Sequence, residues 1–146
     1  MHRIFTDGAS RGNPGNAAWA FVIVDDENAI IGRNSGFIGH ATNNDAEYTA
    51  IACALAAASA LQIRFADVYS DSEIVVRQLT GQYRCKEPRL QIKKAAIKDL
   101  LKLIDVRFKN VPRDNEFVKI CDKACNETLN RQEGVSNEKD NNIQNH

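Results

Sequence analysis

Residues 4–15 read IFTDGASRGNPG, and the two halves of that stretch follow different rules. His2–Thr6 alternates in the manner of a β-strand, whereas from Asp7 onward glycine recurs at positions 8, 12 and 15. A glycine-rich turn that opens a helix would suggest a phosphate cradle. This one lacks the Lys-Ser/Thr ending of a P-loop and leads into another strand-like run, Ala17–Val24, with Trp19 and Phe21. A polar turn at Asp25–Asn28 precedes a third such run, Ile30–Phe37, so residues 1–37 read as an antiparallel meander in which Asp7 closes the first strand.

Beyond residue 37 the period of the apolar positions changes. Asn44–Gln62 reads as an alanine-rich helix with Tyr48, Ile51, Leu55, Ala58 and Leu61 or Gln62 on one stripe. Ala66–Ser70 is a short buried strand, and Ser72–Leu79 a short helix stopped by Gly81. Pro88 suits the first turn of a helix reaching about Ile104. Its apolar positions are Leu90, Ala96 or Ile97, Leu100, Leu101 and Ile104, while Lys94, Lys98 and Lys102 recur on another side. Val106–Val111 is a strand, Pro112–Asn115 a loop, and the last helix extends to about Leu129. The order predicts an α/β domain over residues 1–129. Its five-stranded mixed sheet combines the three-strand antiparallel meander with two parallel strands, and helices lie on both faces. Residues 130–146, rich in asparagine and charge, are expected to form a disordered tail.

Composition bounds the function without naming it. With 43% hydrophobic and 26% charged residues among 146, the chain is an ordinary single-domain globule, large enough for one core. No apolar run approaches a membrane span and no signal peptide is evident, which makes the cytoplasm the default location. Net charge is zero but uneven: residues 1–80 hold nine acids and five bases, residues 81–102 seven bases and two acids. An acidic half beside a basic helix suits metal collection at one place and phosphate binding at another; a solvated lysine face explains the helix equally well. Cys53, Cys85, Cys121 and Cys125 form no CxxC pair, so reduced core thiols are the simplest reading and a closed zinc site is not indicated.

Four acids carry the chemistry. Asp7, Glu47, Asp71 and Asp122 each stand near an expected element end, where hard-oxygen ligands for divalent cations can be gathered from separate segments. Each also has an ordinary explanation. Asp7-Gly8 fits a turn, Asn44-Asp45-Ala46-Glu47 fits a capping box, Asp71 between two serines fits a cap, and Asp122 fits a solvated helix face. Their joint order and segment types are what discriminate.

In the segments TDGASRGNPG, TNNDAEY, YSDSEIVVRQLTG with YRCKEPRL, and CDKACNETL, the chain resembles the type I ribonuclease H family, over about residues 4–129. The form it resembles lacks a basic protrusion, because Gly81–Arg89 leads almost directly into one helix. The resemblance implies metal-dependent endonucleolytic cleavage of the RNA strand of an RNA–DNA hybrid, leaving 5′-phosphate and 3′-hydroxyl ends. It further implies two Mg²⁺ ions, with Mn²⁺ as a substitute, held by Asp7, Glu47, Asp71 and Asp122. Ser10, Asn13, Thr42, Asn43, Asn44 and Glu73 carry over as substrate contacts, the amides reading 2′-hydroxyls and Thr42 a DNA-strand phosphate. His40, Lys86, Lys94, Lys98 and Arg113 are candidate phosphate contacts.

Several positions depart from the family pattern. Glu73 replaces a common glutamine, His40 an arginine, and Val118 an asparagine four residues before the fourth acid. The loop before the last helix has no histidine and Arg113 is its one cation. RDNEFVKICD is about two residues longer than usual, so Asp114 and Glu116 are rivals to Asp122. Other functions compatible with these residues are a non-catalytic hybrid- or duplex-binding module and a DNA nuclease of the same fold. The expected working form is a monomer with no obligatory protein partner.

Overall fold

A computed structural model describes the backbone of residues 1–144 and the side chains of residues 1–134. The first strand does not end at Asp7. β1 (His2–Gly12) pairs antiparallel with β2 (Gly15–Val24) up to Gly12↔Gly15, and Asn13–Pro14, joined by a cis peptide bond, makes the turn. Gly12, at φ +107°, occupies a conformation that side chains with a Cβ rarely adopt. β3 (Ile30–Ala41) likewise continues past Phe37. The long polar hairpin escaped an apolar-periodicity reading because its outer half has little core to face.

The sheet order is β3-β2-β1-β4-β5, with β4 at Phe65–Ser70 and β5 at Asp105–Asn110, both parallel to β1. Pairing of β1 with β4 ends at Thr6↔Ser70. Asp7 and Asp71 are therefore the first residues beyond two parallel segments that finish side by side, although β1 itself goes on.

Alternation along β1 divides the core into two layers. Ile4, Phe21, Ile23 and Val68 meet Tyr48, Ile51, Leu55 and Ala58 of α1 (Asn43–Ala60). Phe5, Ala20, Val22 and Val24 meet Phe117, Val118, Cys121, Cys125 and Leu129 of α4 (Glu116–Gln144) on the other face. α2 (Glu73–Leu79) is short, and α3 (Pro88–Leu100) rests mainly on α1 through Leu90 and Ile97. The α1 stripe stops at Ala58: Leu61 caps the helix with half its surface exposed, and Gln62 turns the chain at φ +61°. α3 ends at Leu100 rather than Ile104, the last apolar positions belonging to a turn.

Three further expectations are corrected. Thr42, not Asn44, caps α1: its hydroxyl accepts from the Asp45 N–H at 3.1 Å, and the Asp45 carboxylate accepts from the Thr42 N–H at 3.2 Å. Glu47 is thereby released from capping. α4 also passes Leu129, the expected end of the last helix, and continues to Gln144; residues 145–146 of the expected tail lie outside the described residues. Asn130 and Glu133 bond to Arg11 of the hairpin, a tertiary tie that polar composition does not reveal.

Candidate active site

Glu47 owes its position to Gly8. A Cβ at Gly8 would lie 2.3 Å from the Ala46 carbonyl carbon and 2.4 Å from the Glu47 nitrogen, so only glycine lets the first turns of α1 sit directly on β1. That approach brings the Gly8 N–H to Glu47 Oε1 at 3.1 Å, while Ser70, the last residue of β4, donates its hydroxyl to Oε2 at 3.2 Å. Both carboxylate oxygens are thus oriented by neighbours on the two central strands.

Asp7, Glu47 and Asp71 each offer an oxygen within 4.8 Å of the others. They line a cleft of about 380 Å³ together with Ser10, Asn43, Asn44, Arg113 and Asp122. Burial pushes the Asp7 carboxyl up to about 7, with the charges of Asp71 and Asp122 adding to it. Burial, then Asp7 and Asp71, likewise hold Glu47 well above the usual carboxylate range. Arg113 offsets little of this. Its Nε donates to Asp71 Oδ2 at 3.3 Å from a side chain that is 89% exposed.

Three hard-oxygen donors crowded at this distance, two of them resisting ionisation, are a donor set that a divalent cation would satisfy. The residues present therefore fit such an ion, with Asp7, Glu47 and Asp71 as the inner set. Asp122 lines the same cleft without joining that trio, and its Oδ2 accepts from Asn126 Nδ2 at 3.4 Å. Asp114 and Glu116 are exposed and do not line the cleft.

The amide and hydroxyl residues gather beside the acids. Ser10 donates its N–H to Asn43 Oδ1 at 2.9 Å and its hydroxyl to the Ala41 carbonyl at 2.7 Å; Asn13 Oδ1 accepts from the Asn43 N–H at 3.0 Å. Hairpin tip and helix start therefore form one polar wall. Thr42 is spent on the cap. Glu73 lies outside the lining and accepts from Arg77 Nε at 2.8 Å. His40 is exposed on β3 opposite Asn16, a strand position that sequence did not indicate.

The basic surface is arranged differently from the expected row. Lys86 and Lys98 are exposed and Lys94 half-buried, all outside the cleft. Arg89 and Lys93 instead reach Asp45 in the first turn of α1, at 3.3 and 3.5 Å. Despite its burial, Asp45 is held below the ordinary carboxylate range by the Thr42 backbone and these cations. Sequence reasoning also missed Gly8 and Ser70 as supports of Glu47. The adjacency of both to an acid, in TDG and YSD, was the available signal.

A larger groove of about 680 Å³ is lined mainly by apolar side chains, including Met1, Ile31, Leu61 and Phe65, and by no carboxylate. Acidic chemistry belongs to the smaller cleft. All four cysteines are free; Cys121 and Cys125 are buried, and burial pushes both thiols up, so they serve the core as neutral groups.

Residues 5–128 match the family described as reverse transcriptase-like. The chain is 40% identical over 131 residues to the ribonuclease HI of Halobacterium salinarum, a match covering 88% of this chain and 64% of that protein. The chain thus spans less than two thirds of that relative's length. It superposes on the crystal structure of RNase H1 from the same archaeon with a TM-score of 0.83 and 37% identity, over 88% of this chain and 97% of the other. LC11-RNase H1 in complex with RNA/DNA hybrid gives a TM-score of 0.84 at 33% identity, over 90% and 99% of the two chains.

Proposed function

Because the chain belongs to the type I ribonuclease H family, we propose that it is a metal-dependent endoribonuclease acting on the RNA strand of RNA–DNA hybrids. The observation that carries this reading is the convergence of Asp7, Glu47 and Asp71 within 4.8 Å, in a cleft that Ser10, Asn43 and Asn44 also line. A pure binding module has no use for crowded, buried carboxylates facing phosphates. The amide wall, able to donate and accept, suits the 2′-hydroxyls that separate RNA from DNA.

Asp7, Glu47, Asp71 and Asp122 would hold two Mg²⁺ ions, with Mn²⁺ as substitute. What such ions supply is Lewis-acid polarisation of the scissile phosphate and a nucleophilic water at neutral pH. The protein's share is positional. Gly8 and Ser70 fix both oxygens of Glu47, and the pairing of β1 with β4, ending at Thr6↔Ser70, sets Asp7 beside Asp71. Asn13, held against Asn43, reads the minor groove with Asn43 and Asn44; Ser10 braces that wall. Glu73 would accept from a 2′-hydroxyl after leaving Arg77, and Thr42, on releasing the Asp45 carboxylate, would join His40 at a DNA-strand phosphate. Lys86, Lys94 and Lys98 add diffuse attraction for the backbone, so affinity falls with salt. Arg113, the one basic residue lining the cleft among the described residues, would transfer its guanidinium from Asp71 to phosphate oxygens during turnover.

We further infer 5′-phosphate and 3′-hydroxyl product ends, and a monomer working in the cytoplasm. Among the described residues no helix is long and apolar enough to cross a membrane. The test is an end-labelled RNA–DNA hybrid beside double-stranded RNA and duplex DNA, each with Mg²⁺, Mn²⁺ or EDTA. RNA-strand cleavage of the hybrid with either metal and none in EDTA is expected. Hybrid binding without cleavage in both metals would favour a binding module, and preferential cutting of duplex DNA would favour a DNA nuclease.

A further inference from the structure

Arg11 belongs to the hairpin that borders the cleft, yet it does not line the cleft. Its side chain turns to α4 and reaches successive turns of that helix. Nη1 donates to Glu133 Oε2 at 2.6 Å, and Nη2 donates to Asn130 Oδ1 at 2.7 Å and to the Asn126 carbonyl at 3.4 Å. The opposite flank of the hairpin is bonded to α1, through Asn13 Oδ1 to the Asn43 N–H and through the Ser10 N–H to Asn43 Oδ1. The hairpin tip is thereby tied to both helices that supply cleft residues, α1 with Glu47 and α4 with Asp122. Asn126, whose carbonyl Arg11 contacts, also donates to the Asp122 carboxylate, the one hydrogen bond that carboxylate makes among the described residues.

A partly exposed ion pair alone is worth only about 0–1 kcal/mol. Arg11 is more than a pair: a planar fork meeting three α4 residues fixes direction as well as distance, which a lysine ammonium cannot reproduce. We propose that Arg11 is a positioning residue for hybrid cleavage, locking the β1–β2 hairpin to α4 so that Asn13 stays seated on α1 and Asp122 stays turned toward the acidic trio. This rests on the hybrid-nuclease reading and adds to it a residue that touches neither substrate nor metal.

The test compares wild type with Arg11→Ala and Arg11→Lys in two measurements. Hydrogen exchange at the Ser10 and Asn43 amides is followed in EDTA, and KM and kcat are measured on an RNA–DNA hybrid with Mg²⁺. Arg11→Ala should speed exchange at both amides, raise KM through the loosened Asn13 wall and lower kcat through Asp122, each by about tenfold, the worth of one charge-assisted hydrogen bond. Arg11→Lys, which keeps the charge but not the fork, should recover less than half of each effect on a logarithmic scale. Unchanged exchange, or faster exchange with KM and kcat intact, would overturn the proposal while the enzyme reading stands; full recovery by Arg11→Lys would overturn it too. A wild type that leaves the hybrid uncut refutes the enzyme reading, and this proposal falls with it.

Discussion

Replacing Asp7 by asparagine should make the metal-free protein more stable at pH 8 while removing its activity. Asp7 is 6% exposed, and its carboxyl is raised from 3.8 to about 7 by burial first and by Asp71 and Asp122 next. A carboxyl raised on folding costs nothing below its unfolded value. The cost grows as pH climbs from about 4 and is complete above the folded value near 7. A shift of roughly three units at about 1.36 kcal/mol per unit sets a ceiling near 4 kcal/mol. Allowing for a buried amide in the variant, we expect Asp7→Asn to gain about 2–4 kcal/mol over wild type at pH 8 in EDTA, and far less at pH 4.5. Urea unfolding at the two pH values measures this directly. Saturating Mg²⁺ should stabilise wild type at pH 8 by about 3 kcal/mol at a hundredfold excess over Kd, and the variant much less. Equal pH dependence of wild type and Asp7→Asn between 4.5 and 8 would show that the acids do not strain one another, and the argument for a cation-requiring cluster would collapse.

Asp122→Asn should lower kcat at least about a hundredfold, whereas Asp114→Asn should stay within about threefold of wild type; the reverse ranking in steady-state assays would return the fourth position to the loop. Arg113→Ala should lower kcat about tenfold with KM changed little, because its guanidinium is assigned to turnover; an intact kcat removes that role. Burial pushes the Asp67 carboxyl up, but Arg107 Nε at 2.8 Å and Lys109 Nζ at 3.2 Å outweigh it and hold it below its ordinary 3.8. Its contribution is present above that value and lost as pH falls through the folded one. Because Arg107 and Lys109 are largely exposed, Asp67→Asn should cost only about 1 kcal/mol at pH 7 and flatten the acid limb of the stability profile; an unchanged limb contradicts the pairing.

The meander, the α1 stripe through Tyr48, Ile51, Leu55 and Ala58, and the parallel pair were legible because burial on a sheet face or one helix stripe imposes a period. What escaped had no period to show. The outer β1–β2 hairpin is held by backbone pairing and by Arg11, and the continuation of α4 past Leu129 is tied to the same arginine. Capping depends on which of four adjacent polar residues, TNND, meets the first free amide, and Thr42 with Asp45 satisfied that geometry better than Asn44 with Glu47. Among the acids, Asp7, Glu47 and Asp71 meet as local motifs suggested. That Asp122 stands apart from the trio could come only from the distance between α4 and the ends of β1 and β4, which no spacing in the sequence encodes.

The most direct measurement of the central claim is single-turnover cleavage of an RNA–DNA hybrid by Glu47→Gln, with hybrid affinity measured in parallel in EDTA. Glutamine keeps the size of the side chain and can still accept from Gly8 or Ser70, so the carboxylate charge is what is lost. The account predicts a rate at least about a thousandfold below wild type in Mg²⁺ with hybrid affinity within about twofold. A Glu47→Gln protein that cuts the RNA strand within about tenfold of the wild-type rate would contradict it.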